Sequence, residues 1–434
     1  MEQDSWRSIT VRGLTYAGEH AVRLLLTAIV GIIVARYLGP EGLGLLSYAQ
    51  SVFGLLMPIV LLGLPAILVR EFSTGADWRP ILASALVIQV PVALLVAVCS
   101  FLIVAGSRDF ETQATLTAMA LIPLPLLTTS QSIRSYLEAT GRSKAILVAG
   151  ISGGLVASAV KIAAVLAGAD VWVFAAAATI EIAVVAAGLL LGLPARIRLG
   201  SLRRHVRLTV VRDLTRESWP LLLSALAVTI YMRVDVVMLG LIAGDEETGI
   251  YAAAARLSEV WYFLPVAAVA ALRPTLSRLH ARGADSEYSR VLQRFMVGAA
   301  AVSYLAVAGV LLLGPRLVFL LYGVEYEPSA VVLQLHILAA PFVFLGVAAG
   351  PWFIDRRMSR VVLNRSAAGA TINVALNLAL IPTMGARGAA IATLVSYALS
   401  GVAMNGLSST SRPIVVKQLR GLLLLGAKLS RRDR

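Results

Sequence analysis

Residues 218–244 read SWPLLLSALAVTIYMRVDVVMLGLIAG, three acids follow (Asp245, Glu246, Glu247), and residues 248–272 read TGIYAAAARLSEVWYFLPVAAVAAL. Each apolar run is about 25 residues long, and a helix needs only about 20 to cross a bilayer. Both runs nevertheless carry charge: Arg233 and Asp235 in the first, Arg256 and Glu259 in the second. A charge at membrane depth costs at least about 2.5–3.5 kcal/mol, so it faces protein or water and by default marks a functional path.

The rest of the chain extends this pattern. Its 434 residues are 58% hydrophobic and 14% charged, with a mean hydropathy of +0.83. Soluble domains carry nearly twice that charge, so the composition is that of a polytopic membrane protein. The single cysteine, Cys99, excludes an internal disulfide and a cysteine metal cluster, and the four histidines are too scattered for ligand spacing. No metal site and no organic cofactor is therefore expected. The start, MEQDSWRSIT, mixes acid and base and has no small-residue cleavage site before the first apolar run, so no removable signal peptide is expected.

Twelve spans are expected, beginning with Leu14–Leu38 and Gly42–Val69 and ending with Val361–Ile381 and Ala386–Leu407. Prolines 58, 65, 91, 123, 125, 265, 341 and 351 fall inside spans, where each removes a backbone hydrogen bond and kinks the helix. Connections alternate in charge: thirty of the 38 Lys and Arg fall on one side and three (Arg108, Arg316, Arg387) on the other. That bias predicts a multi-pass protein of the cytoplasmic membrane with both termini in the cytoplasm. It also accounts for the net charge of +14 without nucleic acid, since basic residues sit near anionic lipid. The opposite loops reach 14 residues at most (315–328), too short for a folded external domain.

LGPEGLGLLSYA at 38–49 matches IAGDEETGIYAAA at 242–254, with Gly44 falling on Gly249. EATGRSKAILVAGISGG at 138–154 echoes IDRRMSRVVLNRSAAGA at 354–370. An offset of half the chain, with six spans in each half, predicts parallel repeats. The expected organisation is an N-terminal six-helix lobe (1–193), a basic cytoplasmic linker (194–217), a C-terminal six-helix lobe (218–408) and a basic interfacial tail (409–434).

Three stretches in register carry a family resemblance. ARYLGPEGLGLLSYA at 35–49 resembles the first-loop motif of polysaccharide flippases of the multidrug/oligosaccharidyl-lipid/polysaccharide exporter superfamily. RVDVVMLGLIAG with TGIYAAAARLSE (233–259) resembles their seventh and eighth helices, and NLALIPTMGARGAAIATLVSY (377–397) their eleventh and twelfth. The resemblance implies an all-α membrane fold, two six-helix lobes forming a V-shaped, monomeric transporter. It implies a substrate of undecaprenyl-pyrophosphate-linked oligosaccharide, turned from the inner to the outer leaflet by alternating access. Polysaccharide polymerase and glycosyltransferases are the implied partners. The chain lacks the two extra C-terminal spans of similar lipid II flippases, which disfavours a peptidoglycan precursor.

An anionic pyrophosphate must leave water on the way across, and arginine offers a bidentate fork to phosphate oxygens. Arg23, Arg233, Arg256 and Lys161 are therefore the candidate substrate-binding cations, and Asp235, Glu259, Glu181 and Glu19 the candidate sites for a coupling proton or sodium ion. Each has a structural alternative. Arg233 and Asp235, two apart, point to nearly opposite helix faces, whereas Arg256 and Glu259, three apart, share one. A cluster of these four between adjacent helices is one reading, and closed structural ion pairs are the other. Glu19 and Arg23 form a favourable i,i+4 pair that fits either substrate entry or an interfacial anchor. Lys161 and Glu181 flank a short loop at nearly matched depths and are expected to pair.

Four Gly-x-x-x-Gly runs (150–154, 188–192, 240–244, 346–350) are expected to mark close helix packing. Asn373 and Asn377 share a face and could bond across helices or bind head-group sugars, the structural role being the one expected. The tryptophans read mostly as interfacial anchors. Two other function classes stay open. A drug or organic-cation antiporter would favour carboxylates over arginines. An integral-membrane glycosyltransferase or polymerase would require a sizeable external loop.

Overall fold

A computed structural model describes residues 2–74, 77–194 and 204–425, with side chains from residue 28 onward apart from that of Ser359. Among the described residues the chain is helical, without strands. The helices are α1 (Glu2–Leu61), α2 (Leu64–Ser73), α3 (Trp78–Gly106), α4 (Thr112–Leu121), α5 (Pro123–Thr128), α6 (Gln131–Ala139), α7 (Ser143–Leu166), α8 (Val171–Leu191) and α9 (Leu208–Ile242). They continue as α10 (Asp245–Glu259), α11 (Phe263–Ala281), α12 (Asp285–Tyr322), α13 (Ser329–Ile337), α14 (Ala340–Ala348), α15 (Gly350–Asp355), α16 (Ser359–Gly401) and α17 (Arg412–Leu422).

Ten segments among the described residues are long and apolar enough to cross a membrane, which makes the chain a multi-pass membrane protein. The difference from twelve lies at two glycines. α1 bends at Gly39 (φ 67°, ψ 177°) and α16 at Gly385 (φ 53°, ψ −132°), so each long segment contains two helical limbs. Both bends fall where the sequence separates one expected span from the next. Proline divides other spans more sharply than a kink. Pro65, Pro123, Pro341 and Pro351 each open a new helix, α2, α5, α14 and α15. The first turn has no use for the missing N–H, so proline is tolerated there. Pro91 lies well inside an unbroken helix, α3, and Pro220, Pro274, Pro315 and Pro382 likewise lie within α9, α11, α12 and α16.

Contacts divide the chain into two compact units, Met1–Leu38 with Leu45–Arg233, and Gly39–Gly44 with Val234–Arg434. In the first, α7 and α8 pack antiparallel through small residues. A Cβ on Gly188 would lie 2.7 Å from that of Ala149, and one on Gly192 2.7 Å from that of Ala145. This is the close approach expected of the 188–192 run. The same register sets Lys161 level with Ala176, about 7.5 Å along the axis from Glu181 at 1.5 Å per residue. Their depths are less matched than loop counting suggests. Leu64, Leu68, Leu82, Leu137 and Leu189 fill the core beside them.

In the second unit, α11, α12, α14, α15 and α17 enclose a core around Leu276, Leu292, Met296, Leu345 and Phe353. Trp352 belongs to it: only 4% exposed, with its ring 5.1 Å from that of Phe353 and beneath the Arg356 guanidinium. It is a core residue, not an interfacial anchor. The face of α17 bearing Gln418 is buried as well. The Gln418 amide donates to the carbonyls of Leu345 (3.2 Å) and Gly401 (2.9 Å) and accepts from Asn405 (3.0 Å). Gln293 donates to the Lys417 carbonyl (3.2 Å), while Val416, Leu419 and Leu423 stay exposed.

The repeated glycine motif has a structural counterpart inside this unit. Gly244 (φ 90°, ψ −176°) takes nearly the same backbone conformation as Gly39, one open only to glycine. Five residues later the two stretches cross. A Cβ on Gly44 would strike the carbonyl of Asp245, and one on Gly249 the carbonyl of Pro40. Each glycine thus lets the other helix start pass at backbone distance. Nearby, the Glu247 carboxylate accepts from the Ala386 N–H at 2.7 Å, capping the limb that follows the Gly385 bend. One acid of the 245–247 knot is therefore a helix cap.

Candidate functional site

α9 carries Asp235 into the interior of the second unit, where it is 6% exposed. Its neighbours are neutral. The Tyr251 hydroxyl of α10 donates to one carboxylate oxygen, the Thr393 hydroxyl of α16 donates to the same oxygen at 3.4 Å, and the Val236 N–H donates to the other at 2.9 Å. Tyr251 and Thr393 are themselves 3.3 Å apart. Three helices therefore meet on one carboxylate. α10 is pinned here because Gly249, two residues before Tyr251, fixes its start against Pro40.

The polar cluster continues past the tyrosine. The Tyr251 ring meets His336 of α13 edge to face, with centroids 5.8 Å apart, and His336 Nδ1 lies 3.0 Å from the Ser258 hydroxyl. Ser329 donates to the Ile250 carbonyl at 2.8 Å. All of these side chains are buried. Burying an ionised carboxylate is costly unless charge or several donors compensate it. Two hydroxyls and one N–H suit a group that exchanges a proton, and their oxygens with the carboxylate suit a small hard cation.

The other candidate residues are placed differently. Arg233 is exposed, and its side chain lies against Gly54, where a Cβ would be 3.2 Å from the guanidinium. Arg256 is half-buried and acts electrostatically on Tyr322 and Tyr326, whose tilted rings have centroids 5.2 Å apart. Glu259 is exposed and acts on Tyr251 through space. The four residues are therefore not one closed cluster: Asp235 is held by hydroxyls, on the face opposite Arg233. Lys161 and Glu181 are half-buried on the adjoining helices α7 and α8. The side chains of Glu19 and Arg23 lie outside the described residues. Asn377 donates to Asn373 at 2.9 Å, a bond within one helix instead of across two.

Tyr251, Thr393, His336 and Ser258 went unread in the sequence. The available signal was a set of polar side chains inside otherwise apolar spans, each of which must find a partner in lipid.

Similarity to known proteins gives the site its setting. A putative O-antigen transporter of Shigella dysenteriae is 28% identical over 185 residues, 42% of this chain and 46% of that protein. A probable flippase of Haloferax volcanii is 27% identical over 203 residues, 46% and 41% respectively. The chain thus spans less than half the length of these curated relatives. Among solved structures, an inward-facing multidrug resistance MATE family transporter of the MOP superfamily superposes with a TM-score of 0.71 at 15% identity, covering 94% of this chain and 96% of that one. The lipid II flippase MurJ in an inward closed conformation gives 0.70 at 11% identity, with 95% and 97% covered. The fold is the one these transporters share. The family described as polysaccharide biosynthesis protein matches residues 15–280, well over half of the chain, and this protein belongs to it.

Proposed function

We propose that the protein is a flippase, not an enzyme, that moves an undecaprenyl-pyrophosphate-linked oligosaccharide from the inner to the outer leaflet of the cytoplasmic membrane by alternating access. Both termini face the cytoplasm, as the basic connections require. The observation that carries the reading is the family match over residues 15–280, together with relatives named as an O-antigen transporter and a flippase. The likeness to the lipid II flippase, at 11% identity, is one of fold. A drug antiporter shares the fold alone.

In this reading Arg233 and Arg256, with Lys161 and Arg23, meet the pyrophosphate as it leaves water, because a guanidinium fork offsets lost hydration with bidentate hydrogen bonds. Asp235 is the principal site for a coupling proton or sodium ion, with Glu259, Glu181 and Glu19 as the others. A carboxylate enclosed by Tyr251 and Thr393 changes its interactions with both helices when it loses its charge. That change gives a gradient purchase on the packing of α9, α10 and α16. Glycosyltransferases and a polymerase supply and consume the substrate.

The test is export of a lipid-linked glycan by a host deleted for its own flippase, with surface glycan read by lectin and insertion by membrane fractionation. Arg233→Ala and Arg256→Ala are expected to insert normally and lose export at least tenfold. Normal export by both variants contradicts the cationic path.

A further inference from the structure

The second unit contains a groove lined by none of the candidate substrate cations Arg23, Lys161, Arg233 and Arg256. It runs between α11, from Leu264 to Leu272, and α12, from Val291 to Val302, with Phe344 behind it, and its volume is about 880 Å³. At 1.5 Å per residue the two walls are about 12 and 16 Å long. Four of the lining residues, Ala268, Ala271, Gly298 and Ala299, are small, and Arg294 is the one charged residue among those that line it. A Cβ on Gly298 would meet nothing within 4 Å, so open space begins at the backbone.

The groove is polarised. α11 and α12 join through residues 282–284, and Arg294 lies toward that end. Arg273 and Arg290 are exposed there as well, and Arg290 is one helical turn from Arg294 on the same face. Asp285 and Glu287 also stand at this end, on the first turn of α12. Asp285 is 3.7 Å from the Arg356 guanidinium. The opposite end, at Leu264 and Val302, is apolar. The segment that includes α11 is also the least enclosed candidate span, 17% buried against 56% for α13–α15.

From this we infer that the groove holds the chain of a polyprenyl phosphate, with Arg294 on the phosphate and the prenyl units between α11 and α12. A groove walled by two helices with one cation at its mouth fits one chain carried by one anionic head. A phospholipid brings two chains from its head. The small lining residues leave room for the methyl branches of an isoprenoid. The inference rests on the carrier-lipid reading above and adds where the carrier's tail lies.

The test uses the full chain in nanodiscs of phosphatidylethanolamine and phosphatidylglycerol, labelled with a polyprenyl phosphate bearing a photoreactive group in its chain. Cross-linked peptides are mapped by mass spectrometry. The expected result is labelling within 264–272 or 291–302 that unlabelled polyprenyl phosphate competes and excess phosphatidylglycerol does not. Labelling should fall at least fivefold in Gly298→Leu, whose Cβ meets nothing within 4 Å, and at least fivefold in Arg294→Gln. Undiminished labelling of Gly298→Leu, or equal competition by phosphatidylglycerol, overturns the groove assignment. Labelling at other peptides, with glycan export by the wild type intact, overturns the groove and leaves the transport reading standing. Labelling in the groove by a wild type that moves no lipid-linked saccharide supports the groove and removes the transport reading.

Discussion

The crossing of Gly44 and Gly249 makes a quantitative prediction. In Gly249→Ala the new Cβ would be 2.6 Å from the Pro40 carbonyl carbon and 3.0 Å from its Cα, besides striking the carbonyl oxygen. Carbon atoms pack at about 3.5–4.0 Å, so the two helix starts must separate by about 1 Å. Both sides are backbone and no rotamer can relieve the overlap, which puts the cost near the upper end of the ~1–3 kcal/mol for overpacking. Alanine returns about 1 kcal/mol of helix propensity, leaving a net loss of about 2 kcal/mol. Gly298→Ala is the control: it gains propensity without a clash, so the two variants should differ by about 3 kcal/mol.

The assay is the unfolding midpoint of purified protein titrated with denaturing detergent in mixed micelles. Gly44→Ala faces the mirror-image overlap, with the Asp245 carbonyl carbon at 2.6 Å and its Cα at 3.0 Å. A single displacement relieves both clashes, so the double variant should cost clearly less than the two singles added. Transport should fall too, because a shift of α10 by about 1 Å lengthens the hydrogen bond from the Tyr251 hydroxyl to Asp235. If Gly249→Ala and Gly298→Ala unfold at the same midpoint, or the double variant is additive, the crossing does not constrain the fold as argued.

Other outcomes follow from the buried cluster and the helix contacts. Asp235→Asn keeps the volume and removes the charge; in proteoliposomes it should abolish the acceleration of lipid-linked saccharide transport by an imposed proton or sodium gradient, and an unchanged gradient response argues against Asp235 as the coupling site. Tyr251→Phe strips a donor from a buried carboxylate and should cost about 1–3 kcal/mol in the same detergent titration, with Thr393→Val costing less because its bond is longer. Gln418→Leu leaves the carbonyl of Leu345 and the amide of Asn405 without this partner and should destabilise by about 2 kcal/mol; a neutral result means α17 is only loosely docked. Gly188→Leu should separate α7 from α8 and sharply reduce the yield of folded protein, whereas Gly106→Leu, where a Cβ meets nothing within 4 Å, should not.

The helical architecture was legible because lipid permits few alternatives: runs of about 20 apolar residues must be helices, and their flanking charge orders them. Gly44 and Gly249 could be paired from the motif alone, though nothing in it shows that each glycine receives the other's helix start. The piecewise spans were less legible. Hydropathy is blind to whether Pro341 bends a helix or opens a new one, since that depends on which neighbours take up the freed carbonyls. Asp235 stood out as an intramembrane acid, but its partners did not. Tyr251 and Thr393 lie 16 and 158 residues away on apolar helices, and periodicity carries no information on which helix faces which. The interfacial reading of the tail carried no sign of Gln418's role for a related reason: on a short basic helix nothing marks a glutamine until the carbonyls it serves are in place.

The span built from α13, α14 and α15 is as apolar as its neighbours, yet more than half of its most hydrophobic window is enclosed by protein. Hydropathy cannot tell a residue that touches lipid from one that touches another helix, but volume can. Exchanges among leucine, isoleucine, valine and phenylalanine should pass unnoticed along the open flank of α11. The same exchanges at Leu333, Phe344 or Phe353 should be felt as they are in the interior of a water-soluble protein. A saturation scan of apolar substitutions would then draw the boundary between oil and protein around this molecule, with no charged mutation needed.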